Sequence, residues 1–410
     1  LVRDNRLDFL LVLRAIACLL VVLSHVTGEF PHSDLLSVFG HDYTWAITVV
    51  GTTGVWIFFV LSGYLMGKGF FTNRYQGNLT GIIKFYWDRF LRIYPLYIVS
   101  IVVTCAIFHK SYPLNEEGVE AITQLLFLSF YGKASFPDSV LWTISTEFRF
   151  YLLAPFIFLF VRRFARTSRA ACVLALAVVS VEFAYRVWVY LHYYHAAGWP
   201  VEWLLRIYIP LSGNLDAFVF GFLLNVFILK WNSSSRSWHP SKAMGCGVFV
   251  ISYIFSAYVG YRGYLLGQHF FGPLFYCCLQ SIVAIGICAM LFCFEAGDAQ
   301  RRIPLSLRAL KENPKRCLEI FGVVTFGIYV WHLLILFWAN DIHFPVSTTR
   351  AAFGLRLLFV LVITTALSAF TYLLIEKPFL RLRSMQIFPA SASVFLNNWL
   401  RVFDLPKRSK

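Results

Sequence analysis

The sequence predicts an all-α, polytopic membrane bundle of about ten transmembrane helices with both termini in the cytoplasm, and three observations carry that prediction. Of the 410 residues, 59% are hydrophobic and only 14% are charged, well below the quarter usual in soluble domains. Apolar runs of about twenty residues, the length that crosses the hydrocarbon of a bilayer, recur along the chain. The basic residues between these runs fall into alternate loops, as the positive-inside rule requires.

Hydropathy gives helices at 7–27, 45–67, 93–109, 139–161, 170–190, 206–229, 243–260, 270–294, 318–339 and 353–376. One side of the membrane collects Arg3 and Arg6, then Lys68, Arg74, Lys84, Arg89 and Arg92, then Arg162, Arg163, Arg166 and Arg169. The same side receives Lys230, Arg236 and Lys242, the group from Arg301 to Arg316, and the residues after Glu376. The other side and the helix mouths keep Lys110, Lys133, Arg186, Arg206, Arg262, Arg350 and Arg356. The richer side is the cytoplasm. A net charge of +15 distributed in this way excludes a nucleic-acid surface. The first run lacks a small-residue cleavage pattern, so it reads as a spanning helix rather than a signal peptide. The chain opens on Leu1, and an initiator Met or short leader is expected before it.

The stretch 119–131 is too short to span and is expected to lie on, or dip into, the outer face. Trp45, Trp142, Trp188, Trp203 and Trp338 fall near helix boundaries, where aromatic belts belong. The run 232–237 reads as a flexible loop. The nine cysteines lie in spans or in a basic inner loop without a CxxC pair, so neither disulfides nor a metal site is expected. A single transmembrane domain over 1–410, with a short basic cytoplasmic tail at 377–410, is the expected organisation.

The first helix carries Arg14 and His25, each costly in hydrocarbon and therefore a candidate functional residue. They are about 16 Å apart along the axis and on nearly the same face. Arg14 is too deep to snorkel: it either pairs with Asp8 or Glu376, or lines a channel for an anionic or carbonyl-bearing ligand. Glu147 and His332 fall about two turns from the outer ends of their helices, so three ionisable groups share the outer third of the membrane. A histidine with a carboxylate partner is the usual general-base pair; alternatively, each group only bonds a neighbouring helix. In the segment 82–97, Lys84, Arg89 and Arg92 alternate with aromatics before Pro95, reading as an interfacial helix or a cytoplasmic phosphate clamp. Gly51, Gly54, Ser62, Gly63 and Gly67 in the second helix favour close packing, or else line a narrow passage.

These residues stand in segments that resemble the membrane-bound acyltransferase-3 family, which includes O-acetylases of bacterial surface polysaccharides. LDFLLVLRAIACLLVVLSHV (7–26) is similar to the family's opening, with its Arg-x10-His. GVWIFFVLSGYLM (54–66) resembles its second-helix signature, and FYWDRFLRIYPLY (85–97) its basic Arg-Ile-x-Pro segment. LWTISTEFRFYLLAP (141–155) follows its Trp-Ser-x-x-x-Glu pattern with Thr143 for Ser. GVVTFGIYVWH (322–332) and IEKPF (375–379) resemble its two closing elements, with Thr325 for Ser.

The resemblance implies an acyl-CoA donor, acetyl-CoA by default, bound from the cytoplasm. It also implies an acceptor hydroxyl at the outer face, on a surface or exopolysaccharide or its lipid-linked precursor. His25 would be the catalytic base or acyl carrier. Arg14 would line the donor path beside Ser62, with Lys84, Arg89 and Arg92 on the donor's phosphates. Glu147 would orient the imidazole, and His332 or Tyr329 would stabilise the carbonyl oxygen. The expected location is a bacterial cytoplasmic membrane, with lipids, the acyl-CoA and a glycan as partners. SGNLDAFVFG (212–221) lacks the Arg that many members carry there, and no SGNH-type hydrolase domain follows Glu376, so a stand-alone member is expected. A proton-coupled transporter or flippase for a glycan is the rival reading, although its inverted repeats are missing.

Overall fold

The computed structural model describes residues 7–30, 35–108, 139–195, 199–234, 240–296, 314–342 and 348–384. The stretch 119–131 and most of the basic tail lie outside these residues. Among the described residues there are ten long helices: α1 (Phe9–Gly28), α2 (Val50–Phe71), α3 (Leu79–Phe108), α4 (Trp142–Phe164), α5 (Ser168–Tyr193), α6 (Leu215–Asn232), α7 (Lys242–Gly260), α8 (Leu279–Glu295), α9 (Cys317–Asn340) and α10 (Thr349–Thr371). Nine of them, judged on the described residues, are long and apolar enough to cross a membrane. The protein is a multi-pass helical membrane protein. The central helices α2, α6 and α9 are mostly buried, while α5, α7 and α10 have few buried residues and turn their apolar sides outward.

Local chemistry sets the ends of α1. Asp8 accepts from the backbone N–H groups of Leu10 and Leu11, satisfying two donors the first turn leaves open. Its own N–H donates to Glu319 Oε1 at 2.6 Å, which ties the start of α1 to the first turn of α9. After α1 a short hairpin pairs β1 (Ser37–Val38) with β2 (His41–Asp42).

The α2–α6 crossing depends on the absence of side chains. A Cβ on Gly63 would stand 1.9 Å from the Phe218 carbonyl oxygen, and one on Gly221 would stand 2.0 Å from that of Val60. In lipid, where apolar side chains gain nothing by leaving the solvent, backbone contact of this kind drives helix association. Around it Phe59 stacks on Phe218 at 4.5 Å, and Phe150 of α4 stacks on the same ring at 4.4 Å.

Three expectations are corrected here. The basic segment 82–97 and the helix expected at 93–109 are one continuous helix, α3, with Pro95 inside it. Pro95 removes only the donor for the Leu91 carbonyl, a loss that helices packed among others tolerate. The helix expected at 206–229 begins at Leu215; before it the chain makes a π turn (Leu204–Tyr208), an extended Pro210 and a 3-10 turn (Leu211–Gly213). Asn214 Nδ2 donates to the carbonyls of Ile207, Tyr208 and Pro210, so the break leaves these acceptors satisfied, as a low-dielectric setting demands.

Arg186, expected at an outer mouth, is instead 1% exposed inside the bundle. It donates to Asp216 at 2.8 Å, to the Gly213 carbonyl at 3.0 Å and to Ser281 at 2.9 Å, with Glu182 at 3.7 Å. A guanidinium offers five donors, enough to hold α5, α6 and α8 together around the broken approach to α6.

Candidate functional site

A cavity of about 820 Å³, counting space open to its surroundings, runs between α1, α2, α3, α4 and α9. It takes Arg14 from α1, Ser62 from α2, Arg89 and Arg92 from α3, Thr143, Glu147 and Tyr151 from α4, and Thr325 and Tyr329 from α9. Six residues singled out in the sequence therefore share one space: Arg14, Ser62, Arg89, Arg92, Glu147 and Tyr329.

Arg14 has neither of the ion-pair partners that a purely structural role would supply. Asp8 caps α1, and Glu376 is 3.3 Å from Arg92. Among the described residues no carboxylate lies within ion-pair distance of Arg14, although Glu147, Glu376 and Arg92 act on its charge from farther off. Its guanidinium faces the cavity as an uncommitted cation in low dielectric, where it would favour a carbonyl or an anion.

Glu147 turns to α2 rather than to the first helix. Ser62 Oγ donates to Glu147 Oε1 at 2.5 Å, and the Tyr151 hydroxyl, one turn along α4, donates to the same oxygen. The guanidinium of Arg89 lies 5.9 Å from the Tyr151 ring centroid and donates to the Tyr75 hydroxyl at 3.3 Å. The expected Glu147–His25 pair is therefore corrected: the face of α4 that reaches α9 presents Thr143, whose hydroxyl donates to the Tyr329 hydroxyl at 2.7 Å.

His25 has His332 as its neighbour. His25 Nδ1 is 3.0 Å from the Val21 carbonyl and 3.2 Å from His332 Nε2, and His332 Nδ1 is 2.7 Å from the Tyr329 carbonyl. Carbonyls only accept, so these contacts assign the protons. His332 carries its hydrogen on Nδ1, its Nε2 is an acceptor, and His25 donates from Nδ1 to both Val21 and His332. That leaves the lone pair of His25 on Nε2, for which no partner is recorded among the described residues. A tautomer fixed through the other ring nitrogen is what a general base needs.

The cavity lining stops at Thr143 and Tyr329 and includes neither histidine. Tyr329 forms the partition: its ring faces the cavity, while its centroid lies 5.6 Å from that of His332. Lys84 stands apart, exposed and off the cavity. Sequence reasoning missed Tyr151 and Thr143 as cavity residues. Tyr151 could have been read from its i,i+4 spacing to Glu147, which puts both on one face. For Thr143 the only signal was its place in the α4 motif.

Comparison with known proteins follows the same segments. Residues 7–373 match the family model described as an acyltransferase domain. "O-acetyltransferase OatA" of Staphylococcus aureus (strain NCTC 8325 / PS 47) is 21% identical over 384 residues, covering 89% of this chain and 56% of its own length. "Putative peptidoglycan O-acetyltransferase YrhL" of Bacillus subtilis (strain 168) is 26% identical over 397 residues, covering 89% of this chain and 54% of its own length. "Nodulation protein 10" of Rhizobium leguminosarum bv. viciae is 29% identical over 193 residues, which is 41% of this chain and 48% of that protein. The chain spans about half the length of these curated relatives. No solved structure matches it.

Proposed function

Because this chain belongs to the membrane-bound acyltransferase-3 family, we propose that it moves an acyl group, acetyl by default, from cytoplasmic acyl-CoA to a hydroxyl at the outer face. The acceptor would be a surface glycan, exopolysaccharide or lipid-linked precursor, in a bacterial cytoplasmic membrane. The relatives' names support O-acetylation. The observation that carries the reading is the path: a cavity with Arg89, Arg92 and Arg14 along it, ending at the tyrosine that backs the histidine pair.

In this reading Arg89 and Arg92 receive the donor's phosphates. Guanidinium groups suit this task because their planar forks bond phosphate oxygens in pairs. Arg14 lies on the thioester's route and would polarise a carbonyl. Glu147 holds Ser62 and Tyr151 in place and balances part of the positive charge. His25 Nε2 accepts the hydroxyl proton as the hydroxyl oxygen bonds to the acyl carbon and the carbon–sulfur bond breaks, the electron pair leaving on the thiolate. Alternatively, Nε2 bonds to the acyl carbon first as the carbon–sulfur bond breaks and the thiolate leaves; the acceptor oxygen then displaces the imidazole, and the freed Nε2 takes the hydroxyl proton. In both routes His332 holds the His25 tautomer and shares the positive charge that develops on the imidazole.

The test is transfer of label from acyl-CoA to a hydroxyl acceptor by purified protein in detergent, where no gradient can drive a transporter. A His25→Ala protein is expected to lose roughly 10²–10⁴-fold in rate. Wild-type turnover in that variant removes the proposal.

A further inference from the structure

Arg383 lies outside the cavity lining, beside the stretch of α3 that carries Arg89 and Arg92, and has no part in the reaction as described so far. It lies in the turn Leu382–Ser384, beyond the continuation of α10 through Lys377–Arg381. Its Nη2 donates to the Asp88 carbonyl at 2.9 Å, one residue before Arg89 and one helical turn before Arg92. Its Nε is buried without a hydrogen-bond partner among the described residues, and so is the Nε of Arg89.

The nearby acids are outnumbered by the arginines, although Asp88 Oδ1 and both Glu376 carboxylate oxygens also make no hydrogen bond among the described residues. Asp88 accepts from the Tyr75 hydroxyl at 2.7 Å and faces Arg74 at 3.4 Å, while Glu376 faces Arg92 at 3.3 Å. Arg74, Arg89, Arg92 and Arg383 therefore share the carboxylates of Asp88 and Glu376, leaving an excess of positive charge with unused donors. Burial, and after it the charges of Arg89 and Arg92, pull the Arg383 guanidinium down to about 10. A group that burial and like charges disfavour gains from any anion that arrives. This excess exists only when the last helix docks on α3, since Arg383 comes from the far end of the chain.

We propose that Arg383 is a third phosphate ligand of the donor, binding the nucleotide end of acyl-CoA together with Arg89 and Arg92, an inference that rests on the acyl-CoA reading above. It gives the Asp88 contact a purpose: that hydrogen bond uses one arm of the fork and aims the rest of the guanidinium along α3.

Two measurements test it on the full chain in detergent. The first is calorimetric binding of adenosine 3′,5′-bisphosphate, which carries CoA's nucleotide without its pantetheine arm. The second is the ratio of kcat/KM for acyl-CoA to that for the S-acyl pantetheine, which has no phosphate. Arg383→Ala is expected to weaken nucleotide binding roughly 10–100-fold, the range for hydrogen bonds to charged groups, and to lower the ratio by a similar factor. Arg383→Lys should recover part of the loss, and it carries the same comparison should the alanine variant not fold. Equal losses with both donors mean that Arg383 only pins α10 to α3, which overturns the proposal. Unchanged nucleotide affinity overturns it as well. A wild-type protein that neither binds the nucleotide nor prefers acyl-CoA overturns the parent reading instead.

Discussion

Replacing His332 by alanine should slow acyl transfer by no more than about 13-fold, because the His25 tautomer has two supports and the substitution removes one. His332 Nε2 accepts from His25 Nδ1 at 3.2 Å, while the Val21 carbonyl accepts from the same atom at 3.0 Å. A neutral hydrogen bond contributes about 0.5–1.5 kcal/mol net, which converts to roughly 2- to 13-fold in rate. Loss of the base itself costs far more, roughly 10²–10⁴-fold. The assay is the initial rate of transfer from labelled acyl-CoA by detergent-purified variants. Melting temperatures are read alongside, since His332 is fully buried and its truncation leaves a cavity. His332→Gln should recover part of the rate, because its side-chain carbonyl can accept where Nε2 did. A His332→Ala protein as slow as His25→Ala, at an unchanged melting temperature, refutes the assignment and makes His332 the base.

Other outcomes follow from the same structure. Arg186→Ala strands the buried carboxylates of Asp216 and Glu182 and should destabilise the protein by about 3–5 kcal/mol, read as a lower melting temperature in detergent. Gly63→Val drives a side chain into the Phe218 carbonyl and should cost at least about 1–3 kcal/mol, the range for overpacking; the yield of monodisperse protein reports it. Arg92→Ala should raise the donor KM roughly 10–100-fold, as expected for losing bonds to a charged phosphate, whereas the exposed Lys84→Ala should shift it by less than about twofold, like most surface charges. Equal effects of the two substitutions would contradict the boundary of the cavity.

The sequence was most legible where one physical rule acts alone. Hydrophobic length and loop charge located nearly every helix, and the cost of charge in lipid singled out Arg14, His25 and Glu147. It was least legible where the answer depends on which face meets which. Glu147 and His25 have similar depth, so the sequence paired them; the rotation of α4 instead sends Glu147 to Ser62 and brings Thr143 to Tyr329. Arg186 has the pattern of a mouth residue, and only the break before α6 shows why a cation belongs in the interior. Lys84 and Arg92 look alike in one basic run, yet the twist of α3 leaves the first outside and turns the second inward.

The partition formed by Thr143 and Tyr329 has an electrical consequence. On one side lies a polar, cation-lined hollow; on the other lie the half-buried imidazole of His25 and the fully buried one of His332. In the proposed reaction an acyl group would pass from one side to the other, and whatever part of a membrane potential falls across the partition would act on it. A neutral acetyl group does no electrical work there. A group bearing one carboxylate would gain up to about 2.3 kcal/mol per 100 mV when moving outward from a negative interior. The membrane voltage would then act as a silent selector among donors.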